Sequence, residues 1–69
     1  MRYDIYGRYA LEVVREGEAW AVYRLSNGNR RPERNLIIPS GTAEADIEIY
    51  FDDMLHELAQ PGKRIHRIE

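Results

Sequence analysis

The chain has 69 residues, no cysteine, a formal net charge of −2 and a pI of about 5.7. Its length suits one small domain over residues 1–69 and leaves no room for a second core, since a chain of about this size buries only about 60% of the surface it exposes when unfolded. Missing cysteines exclude disulfides and thiolate metal sites, and the acidic balance argues against bulk attraction to nucleic acid or anionic lipid.

The opening residues Met1-Arg2-Tyr3-Asp4 contain no apolar run of the secretory type, and no stretch approaches the roughly 18 apolar residues of a membrane span. The expectation is a soluble cytoplasmic protein without a membrane partner, a monomer or weak homodimer.

From Tyr3 to Val13 the odd positions run Tyr3, Ile5, Gly7, Tyr9, Leu11, Val13, a period of two that predicts a half-buried strand. Gly7 packs nothing and marks a bulge or bend within it. A two-residue turn at Glu16-Gly17 reverses the chain into a second strand, Ala19 to Leu25, with Trp20 opposite Val13 and Val22 opposite Leu11. Ser26-Asn27-Gly28-Asn29 is the strongest turn signal, because Asn-Gly tolerates left-handed backbone at both central positions. A third strand is expected from about Arg31 to Ile38, at a sheet edge because Pro32 has no N–H to donate.

After the Pro39-Ser40-Gly41-Thr42 break, Thr42 or Ser40 is placed to cap a helix running to about Gln60, where Pro61-Gly62 ends it. At about 100° per residue, Ala43, Ile47, Tyr50, Phe51, Met54, Leu55 and Leu58 form one apolar stripe. Residues 43 to 60 carry six acids and no lysine or arginine, so the helix is strongly acidic, while all ten basic residues share the rest of the chain with the other six acids. Lys63 to Ile68 predicts a short last strand with Ile65 and Ile68 on opposite faces. The fold class is α+β, an antiparallel three-stranded meander plus a short fourth strand in β-β-β-α-β order, with the helix on one sheet face and the last strand beside the first.

Three constellations bear on function. Asp52 and His56 are four apart on one helical face and Glu48 extends the row, but Glu48 and His56 are separated by about 12 Å of helix rise, too far to close on one ion. No metal and no cofactor is expected, and with no base beside Ser40 or Thr42 no catalytic residue is assigned. Ile49 breaks the pattern: it lies about 160° from the centre of the stripe, among acids. Glu48, Ile49, Asp52, Asp53 and His56 therefore make the leading candidate surface, on which a non-enzymatic interaction module meets an unknown protein partner that is basic or partly apolar. The alternative is nucleic-acid binding on the uncovered sheet face through Tyr6, Arg8, Tyr23, Arg30, Arg31 and Arg34, aromatic and guanidinium groups that could stack bases and neutralise phosphates. Asp4, Glu12, Glu16, Glu18 and Glu33 intersperse negative charge through the same strands and weaken that alternative.

Overall fold

A computed structural model describes all 69 residues. The architecture is α+β: five antiparallel strands, β1 (Arg2–Ile5), β2 (Tyr9–Glu16), β3 (Ala19–Ser26), β4 (Asn29–Pro32) and β5 (Ile65–Arg67), form one sheet in the order β4-β3-β2-β1-β5. One helix, α1 (Ile47–Leu55), is extended at each end by a 3₁₀ turn, Glu44–Asp46 and His56–Leu58, and packs beside β5. The expected fold class holds, including the return of the last strand to the side of the first.

The strand count differs because the expected first strand is two. Tyr6 at φ 53° and Gly7 at φ 71° are successive left-handed residues, and together they turn the chain back rather than bulging it. Asp4 Oδ2 accepts the Gly7 N–H at 2.9 Å, and the Arg8 N–H donates to the Ile5 carbonyl at 2.9 Å, which secures the reversal. The connection is three residues long, so Ile5 opposes Tyr9 and Tyr3 opposes Leu11. An odd connection keeps parity, and the odd residues on both arms face the same way.

The β2–β3 turn is centred on Gly17-Glu18, not Glu16-Gly17, with Gly17 at φ 62° in the first central position. This moves the register by two residues: Val13 opposes Val22, and Trp20 opposes Arg15. Because the shift is even, the faces stay as expected. Asn27-Gly28 makes the next hairpin at φ 50° and 80°, as its sequence demands.

Beyond Pro32 the expected third strand stops. The Glu33 N–H still donates to the Val22 carbonyl at 2.8 Å, but the chain then turns, and Leu36-Ile37-Ile38 lies outside the sheet. Leu36 and Ile38 are buried against the sheet while Ile37 is exposed. This strap continues to Thr42, whose carbonyl accepts from Trp20 Nε1 at 3.0 Å, and the Ser40 carbonyl accepts from Arg15 at 3.1 Å. Neither Ser40 nor Thr42 caps the helix; their backbone oxygens anchor the strap instead.

The core lies between the sheet and a second layer made of α1 and the strap. Tyr3, Ile5, Leu11 and Val13 from the first hairpin meet Ile47 and Phe51 from the helix, with Leu36, Ile38, Val22 and Ile65 closing the sides. Tyr3 and Phe51 pack edge to face with ring centroids 5.4 Å apart. The apolar stripe of the helix is shorter than expected. Ile47 and Phe51 are fully buried and Tyr50, Leu55 and Leu58 half-buried against the core, but Met54 is 52% exposed and Ala43 is exposed, so these two drop out of the stripe.

Candidate functional site

The opposite side of α1 is free. Ile49 is 60% exposed, on the helix side turned away from Ile47 and Phe51. It forms part of a groove of about 290 Å³ between the helix and β5, whose other walls are Glu48, Asp52, Arg64 and Ile65. An apolar side chain thus sits between two carboxylates and one guanidinium at the edge of the sheet. No carboxylate lies within 4 Å of Arg64, and Glu48, Asp53 and Glu57 likewise form no ion pair. The helix keeps most of its negative field.

Of the five residues expected on this surface, Glu48, Ile49 and Asp52 line the groove together. Asp53 and His56 are exposed but lie outside it, and His56 Nδ1 is 2.9 Å from the Asp53 carbonyl, a contact within the helix end. Asp52 has a role that helical spacing did not reveal. The Tyr6 hydroxyl donates to its Oδ1 at 2.5 Å, which ties the tip of the first hairpin to the helix. Burial, and then this bond to a carboxylate, push the Tyr6 phenol up to about 12.

The residues Arg64 and Ile65 were not among the expected site residues. The closing segment, expected as a strand from Lys63 to Ile68, carries an isoleucine for each face, and only the folded sheet decides between them: Ile65, in β5, is buried and Ile68, just beyond it, half exposed. No group of three His, Asp or Glu side chains converges closely enough to hold a metal ion.

The alternative set is not assembled into one surface. Tyr6 is buried beneath the helix rather than displayed on the open sheet face, because its left-handed backbone turns the ring inward to Asp52. Arg8 lies in the same connection and donates to the Leu58 carbonyl at 3.3 Å. Tyr23 and Arg30 do share the open face, with the guanidinium 4.1 Å from the ring centroid. Arg31 opposes Arg24 on the other face of the edge strand, and Arg34 lies in the turn beyond it.

Even Arg30 is committed. It pairs with Glu12 at 2.8 Å, and Arg2 approaches the same carboxylate at 3.5 Å. Arg30, then Arg2, hold the Glu12 carboxyl below the usual range despite some opposing desolvation. The Tyr23 hydroxyl donates to Glu16 at 2.7 Å. The open face is thus a lattice of cross-strand contacts in which guanidinium and phenol already have partners.

Over residues 1–69 the chain matches the family described as Domain of unknown function (DUF7661), and it belongs to that family. No curated protein and no solved structure matches it.

Proposed function

We propose that this member of DUF7661 is a non-catalytic interaction module that docks a basic, partly apolar segment of another protein in the groove between α1 and β5. The observation that carries the reading is Ile49, an isoleucine exposed at the rim of a groove and flanked by Glu48 and Asp52, neither of which forms an ion pair, so that the two carboxylates outnumber the one guanidinium, Arg64, in its lining. Apolar anchors ringed by polar groups concentrate binding energy, and complementary charge raises the rate of encounter. Asp52 is held in place by Tyr6, so part of the surface is ordered before a partner arrives.

The test is site-specific photo-crosslinking in native extract, with the probe at position 49 or, as the control, at Val14 on the open sheet face. A protein adduct at 49 that survives nuclease, is missing at 14 and is displaced by a peptide of alternating lysine and leucine supports the reading. Equal adducts at both positions, or none that resist nuclease, overturn it.

A further inference from the structure

A second groove, of about 280 Å³, lies on the other side of Arg64 and is lined by Asp4, Gly7, Gly62, Lys63, Arg64 and His66. No apolar side chain contributes to it, so its ligand is polar. Of the ten lysine and arginine side chains, six are engaged by carboxylates, carbonyls or aromatic rings: Arg2, Arg8, Arg15, Arg24, Arg30 and Arg67. Lys63 and Arg64 are among the four that are not, and the fold brings these two neighbours to one concave site beside an imidazole.

Two glycine turns shape the floor. Gly62, at φ 77°, follows Pro61 in a turn closed by the Lys63 N–H on the Gln60 carbonyl at 3.0 Å. The N–H of Gly62 has no partner within the protein. Across the groove the Lys63 stem lies over Gly7, where a Cβ would sit 3.7 Å from Cδ and 3.8 Å from Nζ. Asp4 is the one negative group. Its Oδ2 accepts the Gly7 N–H, which braces the hairpin tip, and lies 4.0 Å from His66 Nδ1; against Lys63 and Arg64 this single carboxylate leaves the groove with an excess of positive charge.

We propose that this groove binds a phosphate-type oxyanion, the phosphomonoester end of a small ligand, between the Lys63 ammonium, the Arg64 guanidinium, His66 and the free N–H of Gly62. A guanidinium offers paired donors to two oxygens of one phosphate, an ammonium adds a compact charge, and unpaired backbone N–H groups in glycine turns recur in anion-binding concavities. Arg31 and Arg34 carry the same unpaired charge without a groove, so they serve as the internal control.

The experiment is amide and imidazole NMR of the full chain titrated with inorganic phosphate, with chloride at matched ionic strength as reference. The expected result is saturable shifts at Gly7, Gly62, Lys63, Arg64 and His66, absent at Arg31 and Arg34 and weakened about tenfold or more in the K63S/R64S variant. Dispersed spectra confirm that this variant, altered only at exposed positions, still folds. Shifts that follow ionic strength alone, that appear equally at Arg31 and Arg34, or that persist in K63S/R64S overturn the site. Glycerol 3-phosphate should bind at least as well as phosphate; a response only to single-stranded oligonucleotide assigns the groove to a polyanion and overturns the small-ligand proposal. Ile49→Ser, which removes the apolar anchor without adding charge beside Arg64, leaves phosphate binding unchanged, so failure of the α1–β5 docking surface and failure of this site are separable.

Discussion

Tyr6 and Asp52, 46 positions apart, are joined by a hydrogen bond of 2.5 Å between a buried phenol and an exposed carboxylate. Tyr6 holds a left-handed backbone, which costs a non-glycine residue roughly 1–2 kcal/mol. Burial of the ring and the bond to Asp52 offset that strain. Tyr6→Phe should therefore cost about 1–2 kcal/mol of unfolding free energy in urea at neutral pH.

The same pair sets an alkaline limit. The phenol is raised from 10.0 to about 12 in the fold, so the neutral form is the one the native state favours. Its stabilising contribution is complete below pH 10 and is lost as pH rises through about 12. Urea titrations across that range should show wild type falling towards Tyr6→Phe. A constant gap between them would remove the ionisation as the cause.

Phe51→Ala should cost about 3–5 kcal/mol, because a fully buried ring in contact with Tyr3 leaves a cavity. Met54→Ala, three residues further on in the same predicted stripe, should stay within about 0.5 kcal/mol. Equal losses would mean that Met54 is packed in the core rather than exposed.

Ile49→Lys should change stability by no more than about 0.5 kcal/mol, since the side chain is mostly in water. With the photo-probe moved to position 48 in the same groove, the nuclease-resistant adduct should nevertheless be lost in the Ile49→Lys background. Calorimetry and crosslinking on one preparation check both halves.

Glu12→Gln removes the carboxylate shared by Arg30 and Arg2. The Glu12 carboxyl is held below 4.5, so its contribution is present above that pH and fades as acid protonates it. Melting temperatures of wild type and variant should differ at pH 7 and converge in acid. A gap that widens in acid would contradict the cross-strand pairing.

The second strand from Ala19, the Asn27-Gly28 hairpin and the acidic outer side of the helix were legible because each rests on local periodicity or turn chemistry. The first hairpin was not, because its three-residue connection keeps odd residues on one face, as a single continuous strand would. Leu36-Ile37-Ile38 read as a strand from its β-branched content, yet alternate burial of Leu36 and Ile38 serves a strap equally well. Arg64 and Ile65 in the groove beside α1 could not be found from the helix pattern: the last strand's place beside the first was legible, but with an isoleucine for each face its register against β1 was not. Tyr6 was misplaced for a related reason: parity assigns it to the open face only if the backbone stays extended, and at φ 53° it does not.

The pairing of β5 with β1 unites Tyr3 and Arg67, near opposite ends of the chain, whereas the other three strand pairings link neighbours through short turns. Closing that long loop carries an entropic cost that the hairpins escape. The β4-β3-β2-β1 meander is held by local pairings, whereas the final strand and the helix depend on the long-range one. Both proposed grooves are walled by this long-range edge, so whatever occupies either one also latches that edge shut.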